Sequence, residues 1–370
     1  MKIALLTYST RPRGGVVHTL ALAEALATVG QDVTVWTLGR GDDRGFFRPV
    51  DPLVRLQVVP FPDGPSGETV GDRILRSIAV LRDAFDPRAY DIVHAQDCIS
   101  ANAAAPCIRT VHHIDQFTTP ELVACHEKAI TEPHAHICVS TAVAKELADG
   151  WGITAEVIPN GVDYERFTTT DPAARAKWRT RLGRYLLSVG GIEPRKGSLD
   201  LLDAYALLRR DVPDVQLVIA GGETLFDYRD YRARWEKRAA DLGVEPVVLG
   251  AVPEEDMPPL VAAAAAFAFP SLKEGFGLAA MEALAAGVPV VARDLPVLRE
   301  VFGPAVRFAT DAPAFAAALA TALTRNDPAR RAAGHQVAAR HTWAEAARRH
   351  LTLYQAWSDP QRRRNGGVPP

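Results

Sequence analysis

No apolar run in this chain approaches the ~20 residues that a membrane-spanning helix needs. Met1–Tyr8 is too short and wrongly flanked for a signal peptide, and a transmembrane segment is not expected. Neither charge is in surplus: 42 Lys and Arg stand against 44 Asp and Glu, which excludes a general affinity for nucleic acid. Cysteines number only four (Cys98, Cys107, Cys125, Cys138), without Cys-x-x-Cys spacing, so buried free thiols are expected rather than a metal site or disulfides. That pattern fits the cytoplasm. The chain also lacks Gly-x-Gly-x-x-Gly after its first strand, which argues against a dinucleotide-dependent dehydrogenase. Nowhere does an Asp-any-Asp triplet occur, so a common carboxylate device for holding Mg²⁺ is missing.

What is present is a regular alternation. At 370 residues the chain exceeds one ordinary core, and two domains are expected. Strands are expected at Lys2–Tyr8, 33–38, 56–59, 92–94, 108–111 and 136–139, and again at 185–189, 215–220, 247–249, 266–269, 288–292 and 306–308. Helices lie between them, which defines an α/β protein with two doubly wound parallel sheets. Ile74, Ile78, Leu81 and Phe85 make the buried stripe of one helix, with Arg73, Arg76 and Arg82 on its solvated side. Pro159-Asn160-Gly161-Val162-Asp163 reads as a turn closing the first domain, the Asn-Gly pair supplying positive φ. The tail 361–370 is arginine-rich, then Gly/Pro-rich, and expected to be disordered.

Two loops carry chemistry. The strand 266–269 runs into Ser271-Leu272-Lys273-Glu274-Gly275-Phe276-Gly277-Leu278, which opens a helix containing Glu282. Unpaired N–H groups in a first helical turn attract anions, and Gly275 and Gly277 allow close approach of a phosphate to the main chain. Glu274 and Glu282 would repel a ligand made only of phosphate, so they point to sugar hydroxyls as well: the implied ligand is a nucleotide sugar. The second loop, Gly190-Gly191-Ile192-Glu193-Pro194-Arg195-Lys196-Gly197, follows strand 185–189. Arg195 can fork onto two phosphate oxygens, and Lys196 adds a compact charge. It is not a P-loop, because Arg195 stands where the glycine before lysine belongs.

Together these features resemble the retaining glycosyltransferases of family 4, the group that includes glycogen-synthase-like and mannosyltransferase-like group 1 enzymes. The resemblance rests on Glu274 to Glu282 as Glu-x7-Glu, the Arg195-Lys196 loop, the 159–163 segment and Gly14-Gly15. It implies the GT-B fold: two Rossmann-like domains facing a central cleft, with a C-terminal helix returning to the first. Residues 1–164 with 345–360 would bind the acceptor and residues 165–344 the donor. Trp343, Leu351, Tyr354 and Trp357 would pack the returning helix.

The resemblance further assigns Glu282 to the donor ribose and Glu274 to the donor sugar near its reactive carbon. Arg195 and Lys196 would clamp the diphosphate, helped by Gly15, Gly190 and the backbone from Gly277 to Ala279. A functional histidine follows Thr110-Val111. His112 fits that register and His113 stands beside it. On the acceptor side come Gly14, His18, His113 and Asp115, with Gln116 as a further candidate. Apart from the resemblance, Arg11 and Arg13 flank the Gly14-Gly15 loop and could touch acceptor or donor phosphate, and Glu223 stands at a cleft-facing strand end of the second domain. The activity implied is sugar transfer from a nucleoside-diphosphate sugar, with retention and without metal or other cofactor. The acceptor is a small molecule, glycan or lipid, and peripheral membrane contact is compatible with it. A nucleotide-sugar epimerase, a glycoside phosphorylase or a silent nucleotide-sugar binder would share this scaffold.

Overall fold

The computed structural model describes residues 1–115, 117, 119–222 and 228–358. The tail 361–370, Gln116 and Glu223 lie outside the described residues. Two compact units are present, Met1–Gly161 with Trp343–Pro370 and Val162–Thr342, so the crossings fall a few residues before 164 and 344.

The first unit is built on seven strands: β1 (Lys2–Leu6), β2 (Asp32–Arg40), β3 (Arg55–Phe61), β4 (Ile92–Ala95), β5 (Ile108–Val111), β6 (Ala135–Cys138) and β7 (Glu156–Val157). They form one sheet in the order β3-β2-β1-β4-β5-β6-β7, every neighbouring pair parallel. Strands covered by helices on both faces have no solvated side, which is why Ile3–Leu6 of β1 reads as an apolar run. Along β1 the side chains alternate between two cores. Ile3 and Leu5 pack with Val16, Leu20 and Leu26 of the helix Gly14–Thr28. Ala4 and Leu6 pack with Ile74, Ile78 and Leu81 of the helix Val70–Ala84. The final helix, Trp343–Ser358, joins the first of these cores through Ala346, Ala347 and Tyr354, with Trp343, Leu351 and Trp357 around them.

The second unit carries β8 (Tyr185–Val189), β9 (Gln216–Ala220), β10 (Val247–Gly250), β11 (Ala266–Phe269), β12 (Val290–Arg293) and β13 (Arg307–Ala309). Their order is β10-β9-β8-β11-β12-β13, again all parallel. Each sheet reverses its order once, between β1 and β4 and between β8 and β11. Loops leaving the carboxyl ends of strands at such a reversal splay apart, and open sheets bind their ligands there.

Two sequence expectations need correction. Neither Asn160 nor Gly161 has positive φ. The segment is fixed instead by burial of the Asn160 side chain, whose Oδ1 lies 2.9 Å from His18 Nδ1. Arg76 is not on a solvated face either. It pairs with Glu68 at 2.6 Å and lies 4.0 Å over the Phe61 ring. Among the described residues no helix is long and apolar enough to cross a membrane.

Candidate functional site

In the second unit, both chemistry-bearing loops leave the carboxyl ends of the paired strands β8 and β11. Gly190 follows β8 with φ +143°, and a Cβ there would press on the Lys196 side chain at 3.2 Å. Glycine therefore lets the lysine stem cross the loop. Gly197 has φ +63°, and a Cβ would meet the Pro270 carbonyl oxygen at 2.3 Å, so the two loops touch through main chain. Leu272 N–H donates to the Arg195 carbonyl at 2.8 Å and completes that seam.

Both cations converge on one carboxylate. Lys196 Nζ donates to Glu274 Oε1 at 2.6 Å, and an Arg195 terminal nitrogen reaches the same oxygen at 3.3 Å. The other Arg195 terminal nitrogen is held by Glu193 at 3.1 Å. Burial alone would raise the Glu274 pKa, but Lys196 and Arg195 outweigh it and hold the carboxyl down at about 2. Glu274 is thus anionic at any physiological pH.

Beyond Glu274, Gly277 takes φ +98° and opens the helix Leu278–Ala285. No side chain caps that helix and no acid lies in its first turn, so its leading N–H groups are left for a ligand. Gly275 is buried in the turn. The Phe276 side chain is 3% exposed and packs edge-on against His341, which leaves only its main chain to meet a ligand. A small pocket lies beside these loops, lined by Gly190, Gly191, Lys196, Phe269, Pro270 and Ser271.

Glu282, also on that helix, has the opposite surroundings. Burial first, and then the charge of Glu254, push its carboxyl up to about 8, against a smaller pull from Arg166. Arg166 is itself engaged by Glu254 at 2.5 Å. Two carboxylates eight positions apart are therefore driven in opposite directions, the usual mark of groups with different tasks.

In the first unit, Gly14 and Gly15 begin a helix with no side-chain cap and no acid in its first turn. A Cβ at Gly14 would meet open space, and one at Gly15 would lie 3.7 Å from the His112 ring. His112 Nε2 is buried without a hydrogen-bond partner. Burial, and then the charge of Arg109, keep this imidazole neutral, well below the ordinary histidine pKa. His113 instead pairs with Asp115, Nε2 to Oδ1 at 3.1 Å. Thus His112 lies beside the glycine loop while His113 is tied to a neighbour.

His18 was expected to face the acceptor. It is 1% exposed and lies beneath the site, edge-on to His112 at 4.7 Å and to Trp343 at 5.3 Å. Its role is support. Two further histidines complete this neutral cluster and carried no sequence signal. His94 bridges Tyr354 Oη at 2.6 Å and Thr110 Oγ1 at 2.7 Å. His350 donates to the Ala346 carbonyl at 2.7 Å, and burial lowers its pKa to about 4. Sequence reasoning also missed Glu193 as the second partner of Arg195, and Arg166 with Glu254 near Glu282. Their signal lies in tertiary contacts that no local motif encodes.

Comparison with known proteins places the chain in a family. The family described as "Glycosyl transferases group 1" matches residues 173–349, and "Glycosyltransferase Family 4" matches residues 12–166. A phosphatidyl-myo-inositol mannosyltransferase of Mycobacterium tuberculosis is 31% identical over 396 residues, covering 96% of this chain and 97% of that one. A GDP-mannose-dependent alpha-(1-6)-phosphatidylinositol monomannoside mannosyltransferase of Mycolicibacterium smegmatis is 38% identical over 226 residues, covering 56% of each chain. Among solved structures, sucrose-phosphate synthase from Thermosynechococcus elongatus superposes with a TM-score of 0.78 at 21% identity, covering 96% of this chain and 98% of that one. The protein is a glycosyltransferase with the GT-B fold. It belongs to family 4, among the group 1 glycosyltransferases.

Proposed function

We propose that this enzyme transfers a hexose from a nucleoside-diphosphate sugar to its acceptor with retention of anomeric configuration, without metal assistance. The observation that carries the reading is the convergence of Lys196 and Arg195 on Glu274 beside an uncapped helix N-terminus. Breaking the bond between sugar and phosphate builds negative charge on the departing diphosphate. Fixed cations and N–H dipoles aimed at that charge lower the barrier and do for it what a metal ion does elsewhere. Lys196 and Arg195 would turn from the carboxylate toward the phosphates, while Glu274 stays ionised near the sugar. Glu282, held mostly protonated near pH 7, would take the ribose hydroxyls. No carboxylate besides Glu274 stands in this loop to act as nucleophile, which favours acceptor entry on the face that the leaving group vacates.

GDP-mannose is the first donor to try, because one relative is named for its dependence on it. All four cysteines are free thiols, in keeping with a cytoplasmic enzyme. The test is a thermal-shift screen of GDP, UDP and their sugar conjugates, followed by donor turnover with and without a chelator. A ligand that binds only the native state raises its melting temperature. Stabilisation by one nucleoside diphosphate, and turnover that survives chelation, support the reading. An epimerase would convert donor alone, a phosphorylase would require inorganic phosphate, and a silent binder would be stabilised without turnover.

A further inference from the structure

The first unit holds a second cationic cluster, apart from the Arg195 and Glu274 loops and beside the helix start at Gly14. Tyr8, Arg11 and Arg13 follow the carboxyl end of β1, and Arg40 ends β2. Arg73 lies in the first turn of the helix Val70–Ala84, which follows β3. All stand at the edge of the sheet where Gly14 and Gly15 begin their helix.

Arg13 and Arg40 are half-buried, yet Nε of Arg13 and both Nε and one terminal nitrogen of Arg40 are buried without a hydrogen-bond partner. Arg13 leans on the Tyr8 ring at 5.9 Å and Arg40 on the Phe61 ring at 5.7 Å, so their planes are braced by aromatics and not by acids. The acids on this edge are committed elsewhere. Asp43 accepts from the Thr10 hydroxyl at 2.9 Å, and Asp97 accepts from the N–H groups of Tyr8 at 2.9 Å and Ser100 at 2.8 Å. Burial, and then the charge of Arg73 with those of Arg13 and Arg11, lower the Arg40 pKa. Unpaired guanidinium donors among like charges are costly to hold in a folded protein. An anion relieves both the missing hydrogen bonds and the repulsion.

We propose that Arg13 and Arg40 form the binding site for a phosphate group on the acceptor, with Arg11 and Arg73 adding attraction around it. The proposal rests on the reading that the first unit binds the acceptor. A phosphate is favoured over a carboxylate because its oxygens point in more than two directions and can meet forks arriving from separate strands. The phosphate can belong to a soluble ester or to a lipid headgroup; the donor group is the same in both.

The experiment titrates the full chain with inorganic phosphate, glycerol 1-phosphate and glycerol, read by thermal shift. Co-sedimentation with phosphatidylglycerol vesicles, against phosphatidylcholine, forms a second arm. Arg13→Gln, Arg40→Gln and Arg40→Lys are compared with wild type and Lys196→Ala, all checked for native circular dichroism. Saturable stabilisation by phosphate and glycerol 1-phosphate but not glycerol is expected, and the half-saturation point should rise about tenfold in each Gln variant. Arg40→Lys should fall between, and the shift caused by each Gln substitution should persist when Lys196 is also Ala, which removes any contribution of the donor loops to the phosphate response. Arginine-dependent binding to phosphatidylglycerol vesicles without response to the soluble esters assigns the phosphate to a lipid headgroup, and supports the proposal. Responses in both Gln variants equal to wild type overturn it, as does a wild type that distinguishes neither glycerol from its phosphate nor the two vesicles. The donor reading fails separately, if Lys196→Ala binds nucleotides as wild type does.

Discussion

Lys196 Nζ and Glu274 Oε1 are 2.6 Å apart, an ion pair joining the loops after β8 and β11. The pair is sheltered, with side-chain exposures of 21% and 11%. Sequence reasoning gave these residues separate partners on the donor, diphosphate for the lysine and sugar for the glutamate. In the ligand-free protein they hold each other, so the cation is kept in place for a phosphate and the carboxylate is kept ionised. Replacing Lys196 by Ala should therefore cost about 2–4 kcal/mol of transition-state stabilisation. Donor kcat/KM in the Ala variant checks this, and a value within twofold of wild type contradicts the diphosphate role.

The same pair sets an acid limit. The Glu274 pKa is depressed from an ordinary 4.5 to about 2, so its contribution to stability is complete above pH 4.5 and is lost as pH falls through 2. The amount at stake is about 3 kcal/mol. Urea unfolding between pH 5 and pH 2 should show that limb in wild type, and Glu274→Gln should shrink it.

Glu282 works in the opposite sense. Its pKa is raised from 4.5 to about 8, so the native state holds a proton that the unfolded chain releases, and stability declines as pH rises from 4.5 through 8. Glu282→Gln is expected to raise the melting temperature at pH 9, where the wild-type carboxylate is charged beside Glu254. If Glu282 accepts from the ribose, the same variant should bind donor about tenfold more weakly. A variant stabilised at pH 9 with undiminished donor affinity would mark Glu282 as structural only.

The fold was readable because parallel strands buried on both faces announce themselves as largely apolar runs: Tyr185–Val189 and Ala266–Phe269 stand in the structure with the bounds expected of them. β7 escaped because Glu156–Val157 is two residues long and half polar. The motif loops were also readable, since glycine, cation and carboxylate sit close together in sequence. What lies across the fold was not. Nothing near His18 reveals that Asn160 will take its Nδ1, or that Trp343 and His350 will bury it from the last helix. The Asn-Gly dipeptide pointed to a tight turn because turn rules are local, while the partner that fixes Asn160 lies 142 residues away in the chain.

That long-range contact can be tested directly. Asn160→Ala removes the oxygen facing His18 Nδ1 and leaves a buried ring nitrogen without a partner. The cost should be about 1–3 kcal/mol in urea unfolding. Because His18 carries the ring of His112 on its edge at 4.7 Å, the loss should also appear as lower turnover, while nucleotide affinity in the second unit is unaffected. Asn160→Asp, which keeps an acceptor oxygen, should recover most of the stability. Equal stability of Asn160→Ala and wild type would show that the His18 contact is incidental.

Gly197→Ala tests the seam between the two loops. Its φ of +63° disfavours any side chain, and the added Cβ would lie 2.3 Å from the Pro270 carbonyl oxygen, a main-chain atom that cannot swing aside. The Arg195-Lys196 turn must then shift away from β11, and Lys196 Nζ leaves the reach of Glu274. Two consequences should appear together: a stability loss of more than 1 kcal/mol from the forced backbone, and a donor affinity close to that of Lys196→Ala. Gly190→Ala makes a useful contrast, because its Cβ would press only on the flexible Lys196 stem at 3.2 Å, although φ +143° still carries strain. It should keep more donor affinity than Gly197→Ala. Were Gly197→Ala to bind donor as wild type does, the cation's position would not depend on the docking of these loops, and the geometric basis for the donor site would fail.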